Sequence, residues 1–192
     1  MKAKGGSKRK FQGLKMNSVS LRPSHFDCLL LGKKNLVGVE IGVYAADHAL
    51  AMLEQLDIKR LYLVDPYILY KGYAGLGIRG WRSLPEIMIY AKRRIKAKGY
   101  DSKARWLIMF SNEAISKVKE KLDFVYIDGN HEYGYVMDDI TKWEPKVKKG
   151  GLIGGHDYSP SKFGVYEAVN DYCTQHQIDF QVAGEEWFFW KK

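Results

Sequence analysis

LVGVEIGVYAADHALAML, residues 36–53, decides the fold. Its first seven residues form a nearly continuous apolar run that stops at Gly42, the pattern of a strand buried on both faces. Ala46, Ala49, Leu50 and Leu53 then recur at helical spacing, so the strand passes directly into an amphipathic helix. The alternation continues downstream. RLYLVDP (60–66) reads as a second strand stopped by Pro66, and Leu84, Ile87, Met88, Ala91 and Ile95 form the next helical stripe. RWLIMF (105–110) is a third strand, with Ser111 placed to cap a short helix from residue 112 to about 120. DFVYIDG (123–129) is the fourth. Val136, Ile140, Trp143 and Val147 mark a helix that ends near Lys148-Lys149-Gly150. GLIGGHDY (151–158) is the fifth strand, and Ser161 caps a helix with Val165, Ala168, Val169 and Tyr172 inward. IDFQVAG (178–184) and EEWFFW (185–190) close the chain as an antiparallel pair. Five strand–helix units predict an α/β fold. It is a Rossmann-like, doubly wound, mostly parallel sheet with helices on both faces and an antiparallel C-terminal strand.

The chain has 192 residues, 46% hydrophobic and 28% charged, enough for one domain with a real core and incompatible with disorder throughout. No apolar run is long enough to cross a bilayer, and no secretory signal follows the basic start. Cys28 and Cys173 stand far apart without a CxxC pair, which excludes a disulfide scaffold or a zinc–thiolate site and fits a reducing, cytoplasmic setting. The net charge of +9 is mostly local: residues 1–15 hold six bases and no acid, leaving 25 bases against 22 acids elsewhere. This Gly/Ser/Lys-rich stretch reads as a disordered basic tail, solubilising or able to bind phosphate polymers nonspecifically. Residues 16–35 are a leading segment without a clear pattern. Residues 66–84 interleave Tyr67, Tyr70, Tyr73 and Trp81 with four glycines, which suggests a lid.

In an open parallel sheet, ligands bind beyond the carboxyl ends of the strands. Here all five ends carry polar groups: Glu40 to Ala46, Asp65, Ser111-Asn112-Glu113, Asp128 to His131, and His156-Asp157-Tyr158. A dinucleotide site needs a glycine-rich GxGxxG turn for close approach of a pyrophosphate. The first turn here has one glycine, Gly42; Tyr44 and Ala46 crowd a pyrophosphate, and Glu40 repels it. The ligand therefore has a small cationic part and no phosphate. Asp65 suits ribose hydroxyls, although it also suits the Pro66 turn as a local acceptor. A nucleoside with a cationic amino-acid tail, S-adenosylmethionine, meets both conditions.

VGVEIGVYAADHA, LVDPY, FSNEAI and the stretch from FVYIDGNHEYGYV through KKGGLIGGHDY resemble the class I S-adenosylmethionine-dependent methyltransferases. Within them the resemblance is to small-molecule O-methyltransferases of the macrocin O-methyltransferase and cephalosporin hydroxylase-like group, over residues 36–192. It implies one methyltransferase-like domain over 16–192, a small-molecule hydroxyl as acceptor, and a cofactor site of Glu40, Gly42, Tyr44, Asp65, Ser111, Asn112 and Asp128. It also implies a divalent ion, Mg2+ or Mn2+, on Asp128, His156 and Asp157. His131, His156 and Asp128 are the candidate catalytic groups. Two departures from the pattern are Ala46, where a glycine is usual, and His156-Asp157, where two acids are usual. Asp128 and Asp157 can instead orient His131 and His156 as bases without a metal. Lys92, Arg93, Arg94, Lys96 and Lys98, with the tail, motivate the rival reading of a nucleic-acid-binding protein or RNA methyltransferase on the same scaffold.

Overall fold

The computed structural model describes residues 23–70, 83–161 and 163–192. Its elements are α1 (His25–Cys28), β1 (Leu36–Ile41), α2 (Asp47–Gln55), β2 (Ile58–Val64), α3 (Leu84–Ala97), β3 (Ala104–Leu107) and α4 (Ser111–Ala114). Then follow β4 (Leu122–Ile127), α5 (Tyr133–Trp143), a 3-10 turn (Glu144–Lys146), β5 (Val147–Gly155), α6 (Phe163–Gln175), β6 (Gln181–Ala183) and β7 (Glu186–Trp190).

The seven strands form one sheet in the order β3-β2-β1-β4-β5-β7-β6. β1 to β5 run parallel, β7 runs antiparallel to β5, and β6 antiparallel to β7. This is the predicted α/β architecture. Strand order reverses between β1 and β4, where the outgoing loops part and leave a crevice. The pleat sends alternate residues to opposite faces. Val125 and Ile127 of β4 pack with Val136, Ile140 and Trp143 of α5 and with Ala168 and Val169 of α6. Phe124 and Tyr126 pack on the other face with Leu50 and Met52 of α2 and Ala91 and Ile95 of α3. Each fully buried Val, Leu or Phe contributes about 1.5–3 kcal/mol. These two layers, rather than helix propensity, hold a helix as short as α2.

Two local expectations are corrected, and the leading segment gains a structure. Val147 belongs to β5, not to the preceding helix: α5 ends at Trp143, and Pro145, which has no amide hydrogen, confines the continuation to one 3-10 turn. Ser111 is not a cap; Phe110 is the N-cap of an α4 only four residues long, and the Ser111 hydroxyl accepts from Trp143 Nε1 at 2.7 Å. The leading segment contains α1, capped by Ser24, whose hydroxyl accepts from the Asp27 amide at 3.0 Å. Phe26 is fully buried against Phe124 and Tyr126. The basic tail of residues 1–15 and positions 71–82 of the suggested lid lie outside the described residues. Among the described residues no helix is long and apolar enough to cross a membrane.

Candidate functional site

The strand ends enclose a cavity of about 450 Å³ at the β1–β4 crevice. Glu40, Gly42, Tyr44, Asp65, Ser111, Asn112, Asp128, His131, His156 and Asp157 all line it. Seven carboxylate side chains face it (Glu40, Asp47, Asp65, Asp128, Asp138, Asp139 and Asp157), and among the described lining residues there is no lysine or arginine. His48, His131 and His156 also line it, but the carboxylates outnumber them, so the wall favours a cation over a phosphate.

The first turn is built by backbone geometry. Gly42 has φ +86, and a Cβ there would lie 2.0 Å from the carbonyl oxygen of Asp128. The glycine therefore permits the close approach of the β1 and β4 turns, and it also lines the cavity. Tyr44 and Ala46 also take positive φ, 46 and 62. Ala46 is fully buried, so the missing glycine is met by an alanine held in the left-handed region. The Tyr44 hydroxyl is buried without a hydrogen-bond partner.

Asp65 braces this turn. One carboxylate oxygen accepts from the amides of Val43 (3.1 Å) and Tyr44 (3.0 Å), the other from Tyr67 (2.8 Å). Burial raises its pKa above the usual carboxylate range, against the pull of those amides. The local-acceptor role foreseen beside Pro66 is thus real. Of the roughly four lone-pair positions on a carboxylate, one remains for a ligand hydroxyl. Asp65→Ala leaves three amides without their acceptor. The variant should lose about 1–3 kcal/mol of stability in denaturant unfolding; an unchanged midpoint would show that the turn holds itself.

Glu40 is 2% exposed. Its Oε1 lies 3.1 Å from His48 Nδ1, while Oε2 is buried with no partner. Burial pushes its carboxyl up to about 7, opposed chiefly by the His48 hydrogen bond. His48 and, behind it, Asp27 were not foreseen. His48 does sit in the first turn of the helix that follows the decisive strand, but no spacing linked it to Asp27.

At the other end, His131 Nε2 lies 2.8 Å from Asp157 Oδ2 and 3.8 Å from Asp128 Oδ1. The Asp128 and Asp157 carboxylates push its pKa up to about 9 despite partial burial. The raised pKa favours the imidazolium between the two carboxylates, which weakens His131 as the base that the sequence suggests. His156 Nδ1 meets Asp157 Oδ1 at 3.2 Å, and that hydrogen bond raises its pKa too. Ligand atoms of Asp128, His131 and Asp157 lie within 4.8 Å of one another; His156 groups instead with Asp157 and Glu185. Of the expected set of Asp128, His156 and Asp157, the two carboxylates come together with His131, and His156 joins Asp157 on its other side. Asp157 has φ 63, a left-handed turn that swings its carboxylate between the two histidines.

Near β3, Ser111 is engaged by Trp143 and by Asp139, and Asn112 is exposed at the cavity mouth. Burial pushes the Asp139 carboxyl up to about 7, with Ser111 pulling the other way. Tyr70 crosses toward this side, its ring 5.1 Å from that of Phe110 and 5.8 Å from that of Tyr135. Of the basic cluster on α3, Arg93, Lys96 and Lys98 are exposed, while Lys92, Arg94 and Lys98 have partners within the chain. Arg94 donates to the Ala45 carbonyl and to Asp47, Lys98 pairs with Glu54, and Lys92 lies over the Trp106 ring.

Residues 37–158 match the family described as "Methyltransferase domain". An uncharacterized protein, R132 of Acanthamoeba polyphaga mimivirus, is 28% identical over 165 residues, 79% of this chain and 68% of the relative. The O-methyltransferase NovP superposes with a TM-score of 0.62 at 17% identity, over 82% of this chain and 72% of its own. The O-methyltransferase TomG of Streptomyces achromogenes, solved in complex with S-adenosylmethionine, superposes with a TM-score of 0.65 at 10% identity, over 87% and 78%. At these identities the two structures speak for the fold alone.

Proposed function

The chain belongs to the methyltransferase-domain family, and on that premise we propose that it moves the methyl group of S-adenosylmethionine to a hydroxyl of a small molecule. The observation that carries this reading is the acid-lined cavity with the buried, partnerless Glu40 Oε2 at one end. That oxygen suits the α-ammonium of the donor. The remaining lone pair of Asp65 suits one ribose hydroxyl, and Tyr70 and Phe110 offer ring surfaces to the adenine beside Ser111 and Asn112. A donor held in this way would direct its sulfonium methyl toward Asp128, His131 and Asp157.

Transfer is an in-line displacement. The carbon–oxygen bond forms as the carbon–sulfur bond breaks, and the electron pair stays on sulfur to give S-adenosylhomocysteine. The chain's task is to orient the two partners and exclude water. Methylation of a neutral hydroxyl makes its proton strongly acidic, so a weak base suffices. Asp128, the more exposed carboxylate of the pair, is assigned as that acceptor. His131, held as an imidazolium, keeps the two carboxylates together.

A second reading is favoured by the clustering of Asp128, His131 and Asp157 within 4.8 Å. These residues would hold Mg2+ or Mn2+ in place of the His131 proton, and a nitrogen ligand tilts the choice toward manganese. Such an ion would supply a lowered pKa and alignment for the acceptor hydroxyl. Transfer of labelled methyl to small hydroxylated acceptors, before and after exhaustive chelation, tests both readings. Transfer that survives chelation is expected. Transfer lost and restored by Mn2+ would establish the metal reading, and label appearing only in RNA would favour the rival substrate.

A further inference from the structure

We propose that His48 is a positioning residue for the methyl donor: locked between Glu40 and Asp27, it presents the free oxygen of Glu40 to the donor's α-ammonium. This rests on the donor reading above and extends it to residues outside the predicted site.

Both nitrogens of the ring are fixed. Nδ1 faces Glu40 Oε1 at 3.1 Å and Nε2 faces Asp27 Oδ1 at 3.2 Å. A neutral imidazole has one donor and one acceptor nitrogen. Facing two ionised carboxylates, it would set a lone pair against a lone pair at one end, so with both acids charged the geometry calls for the doubly protonated ring. Asp27 cannot turn away. It is fully buried, and its other oxygen accepts from the Ser24 amide at 3.3 Å. The ring itself lies against Tyr126, with centroids 4.1 Å apart. The Tyr126 hydroxyl donates to Glu186 Oε1 at 3.0 Å, and Glu186 Oε2 accepts from the His25 amide at 2.7 Å. The charged groups around His48 are therefore Glu40 on β1, Asp27 on α1, Glu186 on β7 behind Tyr126, and more distantly Asp128.

Two consequences follow for Glu40. Its Oε1 is held by the imidazolium, which leaves only Oε2 directed to a ligand. The adjacent positive charge also favours the ionised carboxylate, partly offsetting the burial that raises its pKa to about 7. Burial likewise opposes the charge on His48, but the hydrogen bonds to Asp27 and Glu40 outweigh it and hold the pKa near 10. Without His48, Glu40 is free to rotate and to take up a proton, and either change removes its pull on an ammonium.

The test compares two ligands on the full chain by calorimetry. S-adenosylhomocysteine carries the ammonium, whereas 5′-methylthioadenosine has the same nucleoside and thioether but no amino-acid part. His48→Ala is expected to weaken S-adenosylhomocysteine by about 10- to 100-fold, the scale of a hydrogen bond to a charged group, and to leave methylthioadenosine within about twofold. Asp27→Asn, which keeps the shape, should shift the same ratio in the same direction and carries the comparison if His48→Ala does not fold. Equal losses for both ligands in folded protein, or no loss for either, would overturn the positioning role. Wild-type protein that binds neither ligand would instead defeat the donor reading, and this inference with it.

Discussion

Glu40→Gln is expected to abolish useful affinity for the methyl donor while leaving the fold intact. Glutamine has the size of glutamate and retains an oxygen for His48 Nδ1, so the β1 end keeps its packing. The change is confined to the second position. A buried carboxylate oxygen without a partner becomes an amide, which either presents its hydrogens to an ammonium or leaves a neutral oxygen in place of a charge. Truncating one side of a buried, hydrogen-bonded charge pair costs about 2–5 kcal/mol. S-adenosylhomocysteine binding should therefore weaken by about 30-fold at least and by more than 1,000-fold at the upper end. The melting temperature should hold, because burying an amide costs less than burying a carboxylate whose pKa burial has already raised to about 7. Calorimetry paired with a thermal melt separates the two effects. Undiminished affinity in the folded variant would remove Glu40 from the donor site.

Gly42→Ala should act the opposite way, through the fold first. The added Cβ would meet the Asp128 carbonyl oxygen at 2.0 Å and the Gly129 Cα at 2.7 Å. Both are backbone atoms, so no side chain can rotate aside. The residue must also keep φ +86. Left-handed strain costs about 1–3 kcal/mol and overpacking a similar amount. Together they predict a loss of roughly 3–5 kcal/mol, or about 10 °C in melting temperature for a chain of this size. Ala46 is the internal control: it too has positive φ yet already carries a methyl group, so Ala46→Gly should change little. A Gly42→Ala protein that melts with the parent would mean that the β1 and β4 turns do not meet as described.

The fold was legible because buried parallel strands announce themselves as continuous apolar runs. LVGVEIG, RLYLVDP and DFVYIDG each lie within two residues of an observed strand boundary or closer. The strand-end site was legible for the same reason, since the topology brings those ends to one crevice whatever the loops do. What escaped were relations that cross the chain without a local period. Glu186 meets the His25 amide 161 positions away, and Ser111 meets Trp143 32 positions away. No spacing rule reaches that far. The pairing of Asp157 with His131 was hidden for a simpler reason. Adjacent residues at a strand end diverge, and the left-handed turn at Asp157 carries its carboxylate toward His131. Val147 misled because helical periodicity continues past a proline in the pattern while the backbone does not.

The acid-lined crevice is central, and its choice of ligand is open to direct measurement. Calorimetric titration of the full chain with S-adenosylhomocysteine, with ATP titrated in parallel, puts the same adenosine on a cationic tail and on a phosphate chain. Saturable binding of S-adenosylhomocysteine to one site, and no detectable binding of ATP to that site, is the predicted result. A folded chain that takes up no S-adenosylhomocysteine at about 1 mM, or that prefers ATP there, would contradict it.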